Sequence, residues 1–121
     1  MPENGRSGEE KAILFLRNAG YEIVDRNFRH RGGEVDIIAF INDTLVFVEV
    51  KTWSVYGLDA LEQGMNKKKQ QRIIETAKYF LLLHREYKYM AIRFDIIFIA
   101  PGAPGSTGDI THLASAFMES V

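Results

Sequence analysis

Asp36, Glu49 and Lys51 are the residues of this 121-residue chain whose types and spacing could do chemistry. They sit in the runs Gly33-Glu34-Val35-Asp36 and Glu49-Val50-Lys51. Side chains alternate along a strand, so Glu34, Asp36, Ile38 and Phe40 would share one face, and Leu45, Phe47, Glu49 and Lys51 one face of the next strand. With Asn42-Asp43 as a two-residue turn, Ile41 pairs with Thr44, which sets Asp36 opposite Glu49 and Glu34 opposite Lys51. Two carboxylates about 5 Å apart at an effective dielectric near 20 repel by about 3 kcal/mol, more than an ordinary cross-strand pair contributes. A divalent cation, a neighbouring ammonium or protonation of one acid must offset that repulsion. Mg²⁺ suits such a site, because it is held by one or two carboxylates together with waters and substrate phosphates. The plainer reading is a solvent-exposed charged face with Lys51 as a salt-bridge partner. Apolar Ile38, Phe40, Leu45 and Phe47 on the same faces weigh against it.

Elements that could hold these residues follow from patterning. Ser7-Gly8-Glu9-Glu10 has the form of a capping box, and Ala12, Ile13, Phe15, Leu16 and Ala19 follow at helical spacing. This predicts a helix from about Gly8 to Ala19, stopped by Gly20. Strands are expected over Tyr21 to Phe28, Glu34 to Ile41 and Thr44 to Lys51. Asn66 can cap a second helix ending near Tyr87, with Ile73, Ile74, Ala77, Phe80 and Leu81 repeating at three and four. Met90 to Ala100 reads as a strand, and Ile110 to Leu113 as a weaker one beyond the Gly-rich run of residues 101–108. The order αβββαββ implies an α/β domain with a mixed sheet and helices packed on it.

The length suits one domain over residues 1–121, with residues 1–7 expected to be a mobile tail. A composition of 46% hydrophobic and 26% charged residues excludes a disordered chain. Absence of cysteine excludes disulfides, thiolate metal ligands and a catalytic thiol, and is compatible with a reducing compartment. No apolar stretch is long enough to span a bilayer, and the first residues lack the apolar core of a signal peptide, so a cytoplasmic location is expected. The net charge of −1 argues against nonspecific coating of nucleic acid, although a local basic patch can still bind phosphate.

An Asp followed on the adjacent strand by Glu-Xaa-Lys resembles the pattern of the PD-(D/E)XK nuclease-like superfamily. The runs Gly5 to Ala12, Gly20-Tyr21, Arg26-Asn27, Gly33 to Ala39, Val46 to Thr52 and Arg93-Phe94-Asp95 together resemble the YraN-like family of small bacterial proteins. That resemblance spans nearly the whole chain and implies a restriction-endonuclease-like fold, related in layout to archaeal Holliday-junction resolvases. It also implies that Asp36 and Glu49 bind Mg²⁺ or Mn²⁺ and that Lys51 is the active-site lysine, with Glu9 matching an acid on the first helix of related nucleases. Val35 replaces the proline of the superfamily name. Trp53 stands where the family usually has a basic residue; it could stack on a base or cover the core.

Helical phase places Glu9, and not Glu10, on the stripe of Ala12, Ile13, Leu16 and Ala19. There it could serve the site or simply face the helix dipole. Gln70 lies almost in line with Ile74, Ala77 and Leu81, and with its neighbour Lys69 matches a Gln or Lys that superfamily members place near the site. As a first-turn residue, Gln70 could equally be only structural.

Cations gather in two places, Arg26, Arg29 and Arg31 with His30 near the first interstrand loop, and Lys67, Lys68, Lys69 and Arg72 at the start of the second helix. The second group opposes the helix dipole, which is easier to understand if an anion binds there, while a solvated charge run is the ordinary alternative. His30 reads as a surface residue, His84 and His112 have no partner pattern, and Arg93 with Asp95 reads as a structural ion pair. Two functions fit these residues. One is a metal-dependent nuclease cleaving phosphodiester bonds in DNA or RNA, including branched or structured forms. The other is a noncatalytic module that keeps the fold and binds nucleic acid or protein. A homodimer is compatible with either, with residues 53–64 as the expected contact.

Overall fold

A computed structural model describes residues 3–52, 65–100 and 110–119. Trp53 and the rest of residues 53–64, like the Gly-rich run, lie outside the described residues. Helix α1 (Glu3–Asn18) leads into strands β1 (Glu22–His30), β2 (Gly33–Ile41) and β3 (Thr44–Thr52). Helix α2 (Lys67–Leu83), a short 3-10 turn (Arg85–Tyr87), β4 (Ala91–Ile99) and β5 (Ile110–Phe117) follow among the described residues. The strands form one mixed sheet in sequential order, antiparallel throughout except where β3 runs parallel to β4. A parallel pair needs a crossover, and α2 lies within it.

The two helices flank the sheet, as the element order implied. Ala12, Ile13 and Leu16 of α1 pack with Ile37, Ala39, Val46, Val48, Ile97 and Ile99 on one side. On the other, Ile73, Ile74, Ala77 and Phe80 of α2 pack with Ile38, Leu45, Phe47, Phe94, Ile96 and Phe98. Because β2, β3 and β4 are covered on both faces, each carries an apolar run, Ile37 to Ile41, Leu45 to Val48 and Ile96 to Ile99, instead of alternation. Burying the larger of these side chains contributes about 1.5–3 kcal/mol each, which holds the helices on the sheet.

Local chemistry sets the boundaries. Asn42 and Asp43 have φ of 47° and 59°, the two positive values that a tight hairpin turn requires. Gly20, with φ of 95°, ends α1 in paired bonds from its own amide to Arg17 O (3.0 Å) and from the Tyr21 amide to Leu16 O (2.9 Å). Asn66 caps α2, its side chain accepting from the Lys69 amide at 2.9 Å.

Three boundaries differ from the sequence expectation by more than two residues. Helix α1 starts at Glu3, so Ser7 lies inside it and is not its cap, and the helix takes in most of the stretch expected to be a tail. Once a helix is nucleated, each further residue adds a bond at little cost. Helix α2 ends at Leu83, because His84 leaves helical geometry (φ −123°, ψ 77°) and the chain tightens into the 3-10 turn. Strand β5 continues past Leu113 to Phe117, paired along β4 and stacked through Phe117 on Phe94.

Candidate active site

The β2–β3 ladder begins at Ile41 with Thr44 and runs to Ile37 with Val48, the register that the two-residue turn dictates. Beyond that pair the Asp36 side chain replaces a backbone acceptor, with the Val50 amide donating to Asp36 Oδ2 at 2.8 Å. Asp36 and Glu49 are both buried, 9% and 7% exposed, on the side of the sheet that carries α2. Glu34 does not face Lys51, which corrects the extrapolated register. It pairs instead with Arg29 across the β1–β2 ladder, Nε to Oε2 at 2.9 Å. Lys51 Nζ lies 3.9 Å from Glu49 Oε2, and Lys69 Nζ is closer, at 3.2 Å.

These groups line an open cavity of about 360 Å³ that also takes in Gly33, Glu34 and Arg72. Electrostatics inside it are strained. Burial, a hydrogen bond with Glu49 and the charge of Glu49 push the Asp36 carboxyl up to about 9, against the Val50 amide, and the charge of Glu9 adds to the rise. Burial and contact with Lys69 lower the Lys51 ammonium below its usual range, although Glu49 pulls the other way. Burial acts in the same direction on Lys69, but its contacts with Lys51 and Glu49 outweigh it and raise that group.

Helix α2 reaches the pocket because residue 33 is a glycine. A Cβ there would lie 2.1 Å from Thr76 Oγ1 and 3.0 Å from the Arg72 carbonyl oxygen, so any larger residue would push the helix away. Thr76 is itself fixed by donating to the Arg72 carbonyl at 2.8 Å. Of the two adjacent candidates on α2, Lys69 reaches Glu49, whereas Gln70 Nε2 donates to the Met65 carbonyl at 2.9 Å. The sequence does hold a signal for Lys69. Lys69, Ile73, Thr76 and Phe80 repeat at four, three and four, but Thr76 is easily passed over as polar. On α1, Glu9 is half-buried and Glu10 exposed, in line with their helical phase.

Two carboxylates with one oxygen already taken by a backbone amide form a donor set that a hard divalent ion can complete with water and phosphate oxygens. Among the described residues no group of three or more His, Asp or Glu forms a metal cage. Of the remaining cations, Arg72 lines the pocket and Arg29 and Arg31 line a depression beside it. Arg26, Lys67 and Lys68 are exposed and line neither.

His112, which had no partner pattern in the sequence, belongs to a second polar cluster at the β4–β5 pair. Asp95 is fully buried there, held by Arg93 through two bonds (2.9 and 2.8 Å), by His112 Nε2 at 2.6 Å and by the Ser115 amide at 3.0 Å. Arg93 also donates to the Tyr21 hydroxyl at 2.6 Å. The expected Arg93–Asp95 ion pair is present, and the histidine joins it only because β5 pairs with β4. His84 stacks on Phe80, with ring centroids 4.1 Å apart.

Residues 8–99 match the family model described as uncharacterised protein family UPF0102. The chain belongs to the UPF0102 family. A UPF0102 protein of Persephonella marina is 44% identical over 113 residues, 93% of this chain and 91% of that one. Another, from Treponema pallidum subsp. pallidum, is 45% identical over 118 residues, 97% and 94% of the two chains. A UPF0102 protein of Caldicellulosiruptor saccharolyticus is 40% identical over 115 residues, 95% and 97%. The UPF0102 match takes in Glu9, Asp36, Glu49, Lys51, Lys69 and Arg72 and stops before β5, so His112 lies outside it.

Proposed function

We propose that this chain is a divalent-metal-dependent nuclease that hydrolyses phosphodiester bonds in DNA or RNA in the cytoplasm. The observation that carries the reading is the buried Asp36–Glu49 pair, opening with Lys51 and Lys69 into one cavity. A buried pair of like charges is unfavourable unless one acid keeps a proton or a cation sits between them. Mg²⁺ or Mn²⁺ bound there polarises a scissile phosphate and makes a water more acidic.

The residues of the chain divide the remaining work. Asp36, anchored by the Val50 amide, and Glu49 hold the ion in place. Lys51 positions the attacking water or stabilises the charge that develops on the phosphate, at a site partly shielded from solvent. Lys69 orients Glu49 and with Arg72 draws the phosphate backbone toward the cavity. Glu9, half-buried on α1, adds negative charge and can hold an outer water.

A second reading is a noncatalytic module that binds nucleic acid or protein. It is favoured by the Lys69–Glu49 contact, which already neutralises one acid without a metal. A cleavage panel decides between them, using Mg²⁺ and Mn²⁺ over single-stranded, duplex and branched DNA and RNA, with the Asp36→Ala protein as control. Metal-dependent cleavage that the variant loses supports the nuclease; no cleavage of any substrate leaves the binding module.

A further inference from the structure

The cavity at the paired acids does not end at Gly33. Gly33 and Arg72 also line a second hollow of about 340 Å³, which runs along α2 past Thr76 to Tyr79 and Leu82. His30 and Arg31 border that hollow and a third beside it, so the three adjoin as a trough of linked hollows from Glu49 to the outer end of α2, narrowed where Gly33 meets Arg72 and Thr76. Within it, His30 and Tyr79 stack almost parallel, with ring centroids 3.5 Å apart and planes 7° apart. Tyr79 is backed in turn by Phe28, at 6.2 Å. Arg31 and Arg72 bring positive charge to the lining, whereas Lys78, which also borders it, is ion-paired with Glu119. Glu75 is a carboxylate there, three residues along the helix from Arg72, a spacing at which opposite charges can meet. Arg31 holds a left-handed φ of 47°, beside Gly32 at 81°, in a tight turn where Asn or Asp would be the easier choice. A costly backbone placement of a long cation at a trough mouth fits a binding role.

We infer that this trough is a strand-binding subsite of the proposed nuclease, in which Arg31 and Arg72 hold the phosphates and His30, backed by Tyr79, stacks on an unpaired base. Cations beside an aromatic platform suit single-stranded nucleic acid, whose base faces are free, whereas duplex base faces are covered by their neighbours. The substrate is then a single strand or a branched molecule with unpaired nucleotides next to the cleaved bond. This subsite rests on the nuclease reading for its purpose but binds without metal, so the two can fail separately.

The test measures metal-free binding of the full chain, by fluorescence anisotropy, to labelled oligothymidine, to a blunt duplex and to a duplex carrying a single-stranded flap. Wild type binds the single strand and the flap more tightly than the blunt duplex. Loss of one stacked base contact weakens binding about 5- to 100-fold, so His30→Ala falls by that factor on the single strand and little on the duplex. His30→Leu, which keeps bulk against Tyr79, loses less than His30→Ala but more than wild type. Arg31→Ala lowers the salt slope by about 0.7 on single strands. Equal or tighter binding of the blunt duplex, or His30 variants that bind the single strand like wild type, overturns the subsite even if cleavage occurs. Strand binding that survives while no metal supports cleavage overturns the nuclease and leaves the subsite.

Discussion

The Val50 amide donates to Asp36 Oδ2 at 2.8 Å just beyond the last β2–β3 ladder pair, Ile37 with Val48. That single bond sets the chemistry of the pocket. It holds one carboxylate oxygen still and stabilises its charge, while burial and Glu49 drive the same group toward its protonated form. Two opposed influences on one side chain give a site whose charge state is decided by what enters it.

Without metal, stability should fall as pH rises from about 4 toward about 9. The unfolded Asp36 carboxyl titrates near its ordinary 3.8, whereas the folded one keeps its proton to about 9. Between those values the native state binds more protons than the unfolded state, so unfolding free energy declines with pH, and the stabilisation is complete only below the lower value. Asp36→Asn removes this dependence while keeping an acceptor for Val50. Urea midpoints across that range should decline in wild type and stay level in the variant; parallel profiles would place Asp36 in an ordinary environment.

Mn²⁺ added to wild type should bind with a measurable heat and release a proton from the acid pair, since ligation needs both carboxylates charged. Asp36→Asn and Glu49→Gln should each abolish that heat while remaining folded. Titration calorimetry in two buffers of different ionisation enthalpy reads both the binding and the proton. Unchanged affinity in both variants would move the metal elsewhere.

Lys51→Ala should lose two to three decades in cleavage rate, about 3–4 kcal/mol of barrier, while Mn²⁺ still binds. A merely structural ammonium, 3.9 Å from Glu49 in a largely buried site, would lower stability on removal and do nothing specific to turnover. Single-turnover rates beside thermal midpoints separate the two, and a variant as fast as wild type excludes Lys51 from the reaction.

Gly33→Ala should destabilise by about 1–3 kcal/mol, because its methyl group overlaps Thr76 Oγ1 and crowds the Arg72 carbonyl. Thr76→Ala in the same chain should recover part of the loss by removing the nearer atom. Denaturant curves for the two single variants and the double variant give the coupling, and strict additivity would mean that α2 does not rest on this glycine.

Asp95→Ala should cost about 3–5 kcal/mol, since it leaves Arg93 without its carboxylate in a partly buried site. Metal affinity at the acid pair should not change in the folded fraction. Calorimetric unfolding together with Mn²⁺ titration checks both, and weakened Mn²⁺ binding would show that the two clusters are coupled.

The amino-acid sequence by itself determined the element order, the Asn42–Asp43 turn, the caps at Gly20 and Asn66, and the register that brings Asp36 near Glu49. All of these rest on contacts within a few residues or on the period of a strand, which is why they can be read along the chain. It also marked Lys69 and Gln70 as neighbours on one helix turn, without choosing between them. Tertiary structure alone decided that Lys69 meets Glu49 while Gln70 turns back to Met65, and that Glu34 takes Arg29 instead of Lys51. It alone joined His112 to Asp95 and His30 to Tyr79. Apart from the local Gln70–Met65 contact, each of these pairs spans two elements, and its geometry depends on where α2 rests against Gly33, where the β2–β3 ladder gives way to the Asp36 carboxylate, and how β5 pairs with β4. Periodicity can say which face a residue occupies. Only packing, set by the sizes of side chains far apart in the chain, says what that face meets.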